Sequence, residues 1–162
     1  MARTVKELTP GDAAYDISGN YPVYQKINNR EVLSFDKTAN RSCIWSGKAP
    51  QNLTGNMQLI VDYFIGGTVT TGDLDLDAEI EAINSGDAIN LNSASSFDSV
   101  NSSDNNSVPG SAGNPGRITI TLTNKDGLVA GEDYRVRLTR DQASDTCTGT
   151  MHVFMVELQD SV

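Results

Sequence analysis

Four carboxylates at every second position, Asp75, Asp77, Glu79 and Glu81, form the most regular chemistry-bearing pattern in the chain. They alternate with Leu74, Leu76, Ala78, Ile80 and Ala82, the period of a strand with one apolar and one polar face. Such a row could collect a divalent cation, supply paired acids for glycoside hydrolysis, or form the wet side of a strand. Same-face neighbours on a strand stand about 6.6–7 Å apart, whereas calcium needs about six to eight oxygens roughly 2.5 Å from one point. The row is therefore read as a solvated, salt-bridged face, with a docking surface for a basic partner and a metal site as weaker alternatives. The segment YRVRLTR supplies the opposite charge: Tyr134, Val136 and Leu138 are placed inward, Arg135, Arg137 and Arg140 outward. Cross-strand Glu–Arg pairs between the two segments would each stabilise by a few tenths of a kcal/mol, up to about 1.

The remaining reactive side chains form no constellation. His152 is the lone histidine and lies in an apolar strand-like run, where it faces water or a polar neighbour. Nucleophilic catalysis needs a nucleophile with a base in hydrogen-bond reach, and no G-x-S-x-G elbow is present. Cys43 and Cys147 have neither C-x-x-C nor zinc-ligand spacing and are read as small apolar core residues. GGTVTTGD lacks the lysine of a phosphate-binding loop. No enzyme activity, metal or cofactor is expected. Asn52 and Asn101 stand in N-glycosylation acceptor patterns, read as chance matches in a chain rich in Asn, Ser and Thr. Trp45, the one tryptophan, is read as a core or corner residue, with a sugar-stacking platform as the alternative.

Composition bounds the partners. The 162 residues suit one domain, 38% are apolar, and the net charge of −9 opposes contact with phosphate backbones, so nucleic acid is not an expected partner. No run of about 18 apolar residues suggests a membrane span, and MARTVKELTPGDAAYD has no apolar segment of the signal-peptide kind. The chain is expected to fold in a cytosol, where a Cys43–Cys147 disulfide would not persist.

Elements that would position these residues read as strands throughout. Residues 1–30 carry Pro10, Gly11, Gly19 and Pro22 and no sustained period, which predicts an extended N-terminal arm with at most a short edge strand. Its tyrosines, Tyr15, Tyr21 and Tyr24, imply that it lies against its own domain or a neighbour. From residue 31 to 162 a single β-sandwich domain is predicted. EVLSF, SCIW, RITITLT and YRVRLTR alternate, while MQLIVDYFI and TMHVFMVEL are apolar on both faces. Residues 84–116 read as a long Ser/Asn/Gly-rich loop, with Phe97 and Val100 marking one short strand. About eight strands and no amphipathic helix leave no crossovers for parallel pairing. The predicted fold is all-β, an antiparallel β-sandwich, jelly-roll-like.

Two long stretches carry a family resemblance. REVLSFDKTANRSCIWSGKAPQNLTGNMQLIVDYF resembles the pattern hydrophobic-x-FD, an apolar–aromatic pair, SG-x-x-P, a glycine turn and a long apolar strand. RITITLTNKDGLVAGEDYRVRLTRDQASDTCTGTMHVFMVEL resembles the ending ITLTN, L-x-AGD, RLxRD, DTxTGDA, apolar-x-VEL of small virion proteins of tailed bacteriophages. Together they span residues 30–158. The chain departs from that pattern at Gly149-Thr150, where Gly-Asp is frequent, and at Cys147, where a small residue is.

The resemblance implies a structural, non-catalytic virion protein, made in the host cytoplasm and resident on the capsid surface. Its leading role is capsid decoration: a cement protein that stabilises the head by binding the major capsid protein from outside, self-associated as a homotrimer. The arm, through Tyr15, Tyr21 and Tyr24, is the expected attachment element, and removing residues 2 to about 25 is expected to leave the sandwich folded. The alternative role is a fibre or receptor/carbohydrate-binding module, with residues 84–116 shaping a rim and Trp45 or Tyr134 as a platform.

Overall fold

The computed structural model describes residues 2–16, 19–93 and 95–161. Eleven strands run through them: β1 (Ala2–Leu8), β2 (Ala14–Tyr15), β3 (Val23–Ile27), β4 (Arg30–Phe35), β5 (Arg41–Lys48), β6 (Met57–Ile65), β7 (Asp73–Ile83), β8 (Asn101–Ser107), β9 (Pro115–Leu122), β10 (Asp133–Arg140) and β11 (Met151–Ser161). A single 3₁₀ turn, Pro10–Asp12, is the only helical element among the described residues. The strands form two sheets with all pairings antiparallel, ordered β3-β4-β11-β6-β9 in the first, where β1 also pairs with β11, and β2-β5-β10-β7-β8 in the second. The antiparallel sandwich expected from the alternating segments is thus observed.

Alternation decides what fills the interior. Leu33, Phe35, Leu59, Val61, Ile118, Ile120, Met151, Val153, Val156 and Leu158 come from the first sheet. Cys43, Trp45, Leu74, Leu76, Ala78, Ile80, Tyr134, Val136 and Leu138 face them from the second. Two glycines make room for tyrosines on the neighbouring strand: a side chain at Gly47 would collide with Tyr134, and one at Gly116 with Tyr63.

Three expectations change here. The eight strands become eleven, because residues 1–30 supply β1, β2 and β3. β1 joins β11 over Ala2↔Ser161 to Leu8↔Val156, Leu8 is fully buried, and Thr9 O accepts a 2.8 Å hydrogen bond from the Trp45 indole nitrogen. The segment completes its own sandwich, so removing residues 2–25 strips β1, β2, the start of β3 and the core side chain of Leu8 from the fold.

Within residues 84–116, β8 (NSSDNNS) is a strand with no apolar alternation. Its hydroxyls and amides bond to β7 in place of a hydrophobic face: Ser107 Oγ donates to Asp73, Ser102 Oγ to Asp77 and Asn106 Nδ2 to Leu74 O.

Arg140 was placed outward, yet it shares the parity of Tyr134, Val136 and Leu138 and is fully buried at the end of the sandwich. It donates to both carboxylate oxygens of Asp145, at 2.5 and 3.2 Å, and to the carbonyls of Phe35, Cys147 and Gly149 at 2.7–2.8 Å. The RLTRD and DTCTG motifs therefore meet as a buried clamp that folds the loop after β10 back onto the core.

Candidate binding groove

β7 and β10 lie side by side with Arg135 opposite Glu81 and Arg137 opposite Glu79. The cross-strand pairs expected from the sequence are formed. Arg137 grips Glu79 through two 2.7 Å hydrogen bonds and reaches Asp16 at 3.3 Å, while Arg135 Nε bonds to Glu81. Each carboxylate of the acidic row has a protein partner. Asp75 accepts from the Asn105 amide at 2.6 Å, Asp77 from Ser102 at 2.6 Å, and Glu81 also from the Ser96 amide at 2.6 Å.

Glu79 and Glu81 of the row are salt-bridged as expected, but the row is not a wet face, for Asp75 and Glu81 are buried. β8 lies beside β7 in the sheet and bonds to Asp75 and Asp77, and Ser96, in the segment that precedes β8, covers Glu81. Burial alone would raise the Glu81 carboxyl, but hydrogen bonds from Arg135 and Ser96 outweigh it and hold the group below its ordinary value. Asp77 moves the other way, raised by burial and by the nearby Asp141, Asp104 and Glu79 charges despite the Ser102 bond. Among the described residues no group of three or more His, Cys, Asp or Glu side chains is arranged to hold a metal ion.

This covering builds a groove of about 610 Å³ on the outer face of the second sheet. Its floor is Ile44 of β5 with Arg135 and Arg137 of β10, and its walls are Tyr15 and Asp16 on one side and Leu91, Asn92, Ser93 and Phe97 on the other. Phe97 lies over the guanidinium groups, its ring centre 4.4 Å from Arg137 Cζ and 5.1 Å from Arg135 Cζ, within cation–π range. Tyr15 as a residue is 62% exposed, and its ring is backed by Tyr21, with ring centres 4.1 Å apart and planes inclined by 27°.

The other tyrosine singled out in the sequence, Tyr24, lies on β3 and lines a second, smaller cavity of about 330 Å³ with Pro10, Tyr15, Pro22 and Leu33. Tyr15, Tyr21, Val23 and Tyr24 are four of the seven large apolar or aromatic side chains recorded as exposed among the described residues. The structure thus gathers Tyr15, Tyr21 and Tyr24 at one side of the sandwich, where β2 and β3 are the outermost strands of the two sheets.

Both platform candidates fail. Trp45 and Tyr134 are each 1% exposed, because position parity puts them on the inner face with Cys43 and Val136. Burial pushes the Tyr134 hydroxyl up to about 12. Phe97, the aromatic that does line the groove, was read only as a strand anchor; its signal was an isolated aromatic in a polar loop.

His152 stands on the outer side of the first sheet, 2.7 Å from Ser34 Oγ through Nδ1. Ser34 Oγ accepts from Gln25 Nε2 at 2.6 Å and so has its proton to give to Nδ1. Phe64 lies against the ring, and burial pushes the imidazole down, favouring the neutral form. Cys43 and Cys147 are free and buried, and burial raises the Cys43 thiol well above its ordinary value. Asn101 spends its amide on the carbonyls of Ala78 and Asn124, and is buried.

No family model matches the chain, and no curated protein does. Solved structures with a similar two-sheet arrangement include the mannan-recognising carbohydrate-binding module TmCBM27, at TM-score 0.45 and 8% identity over 100% of this chain and 99% of that one. A family 35 carbohydrate-binding module from Cellvibrio japonicus Abf62 aligns at TM-score 0.43 and 14% identity, over 91% and 82% of the two chains. The module Xyl-CBM35, solved with a glucuronic acid containing disaccharide, aligns at 0.41 and 13%, over 94% and 91%. At these scores and identities neither ligand nor site residues transfer to this chain.

Proposed function

We propose that the protein is a non-catalytic recognition module that binds a glycan in the groove over β5 and β10. The observation that carries this reading is the groove itself: an exposed tyrosine ring backed by a second, a phenylalanine on the opposite wall, and polar side chains between. Sugar rings offer C–H faces that stack on aromatic rings and hydroxyls that bond to guanidinium, carboxylate and amide groups. Asp16, Glu79 and Glu81 set three carboxylates against the two guanidinia of Arg135 and Arg137, which favours an uncharged sugar over an acidic one. Screening against neutral polysaccharides and oligosaccharides by affinity electrophoresis and calorimetry tests it. Tyr15→Ala is expected to weaken binding by tenfold or more with an unchanged melting temperature. No binding by the intact protein, or equal binding by the variant, overturns the reading.

A second reading, capsid decoration of a tailed phage, is favoured by the exposed cluster of Tyr15, Tyr21, Val23 and Tyr24. Such a protein would contact the major capsid protein through this side and act on the virion surface as a homo-oligomer. Electron cryo-microscopy of the phage that encodes the chain tests it: density at regular positions on the head supports it, and density at tail tips or none overturns it.

A further inference from the structure

We infer that the free edge of β3 is a self-pairing surface, through which two copies of this chain join about a two-fold axis into one continuous sheet. The strand is short, Val23–Ile27, and its other side is taken by β4, from Val23↔Ser34 to Ile27↔Arg30. The turn between them is Asn28-Asn29, with φ of 48° and 61°, the two left-handed residues of a type I′ hairpin. In such a hairpin the residues flanking the turn exchange backbone hydrogen bonds, and the pattern then alternates along the ladder. The backbone groups of Val23, Gln25 and Ile27 accordingly point to β4. Those of Tyr24 and Lys26 point away from it, off the edge of the sheet.

Placed antiparallel to its own copy and centred on Gln25, the strand is complementary to itself. Tyr24 of one copy falls opposite Lys26 of the other, and the two exchange both backbone hydrogen bonds; the symmetric pair repeats this, giving four bonds. Val23 falls opposite Ile27 on the outer face, an apolar pair on each side of the central glutamines. No like charges meet, since each lysine sits beside a tyrosine ring and keeps its own Glu31, 3.8 Å away. The edge is open for this: Val23, Tyr24, Gln25 and Lys26 are all exposed. It contains no proline and no bulge, and Lys26, a charge of the kind that discourages edge pairing, is met by Tyr24 of the other copy and by its own Glu31. Self-pairing of one patch gives a closed dimer that does not propagate.

Sedimentation of the intact protein over a range of concentrations tests the proposal. The expected result is a reversible shift from the mass of one chain to that of two. Lys26→Pro removes an edge amide that β4 does not use, and is expected to shift the monomer–dimer midpoint at least tenfold to higher concentration. Tyr24→Lys leaves the backbone intact but sets a lysine against Lys26 of the other copy, and is expected to do the same. It decides the matter if the proline variant fails to fold. A protein that stays monomeric, one that forms trimers, or a dimer indifferent to Tyr24→Lys overturns the proposal.

Discussion

β10 carries the same chemistry, arginine against carboxylate, in two settings. Arg135 and Arg137 face outward, with side chains 30% and 25% exposed, and hold Glu81 and Glu79 across the strand. Arg140, a few residues on, points inward and is 0% exposed together with its partner Asp145. Water reaches the guanidinium ends of the first two pairs, although Glu81 itself is buried, so each is partly screened and contributes less than the interior pair while leaving donors where a ligand can reach them. The buried pair is out of reach of any ligand, and its effect is on the fold. Three backbone carbonyls also bond to the same guanidinium. One strand thus builds a surface with one set of arginines and closes the end of the sandwich with another.

The contrast can be broken most directly at Asp145. Asp145→Ala leaves Arg140 charged and unpaired in the interior, and a loss of about 3–5 kcal/mol is expected in chemical denaturation. Arg137→Ala should cost far less, about 1–2 kcal/mol for a partly buried bidentate pair and its contact with Phe97. Equal losses for the two variants would erase the distinction. A double-mutant cycle on Glu79 and Arg137 should give a coupling of up to about 1 kcal/mol that shrinks in high salt.

Acid sharpens it further. The Glu81 carboxyl is held below its ordinary value of 4.5, so its contribution is complete above that value and is lost as pH falls through the lowered one. The His152 imidazole is also held below its ordinary value of 6.5, so folding favours its neutral form. That contribution is present above pH 6.5 and is lost as pH falls through the lowered value. Stability against pH should decline in two stages, with the upper one absent in His152→Gln and the lower one reduced in Arg135→Met. The smallest effect is expected at Tyr15, where Tyr15→Ala should change stability by no more than about 0.5 kcal/mol.

Parity made much of this legible. The even positions of β7 and β10 are inward and the odd ones outward, which puts Glu79, Glu81, Arg135 and Arg137 on one face; which arginine meets which glutamate depends on strand adjacency and register, and parity carries neither. The same rule applied to position 140 gives an inward arginine, and the outward placement of Arg140 departs from it. Trp45 and Tyr134 also follow parity. Two regions were illegible for physical reasons. β8 is held by side-chain bonds to the carboxylates of β7, so it needs no hydrophobic period. β1 carries a register shift between Thr4 and Lys6, which breaks its alternation, and its partner strand lies at the far end of the chain. The groove inherits both difficulties, since one wall comes from the N-terminal segment and the other from the polar loop.

β11 is the strand that β1, β4 and β6 all pair with, and it follows every one of them in sequence. On a ribosome the chain therefore emerges with its first sheet missing the middle member. Until Met151–Ser161 is made, β1 has no neighbour to pair with, β4 has only β3, and Leu8, Phe35 and Val61 sit on strands of a sheet with a gap in it. The fold cannot be assembled by adding strands outward from an early hairpin. It closes in one late step, and stalled or shortened chains would present that gap as sticky strand edges to chaperones and to one another.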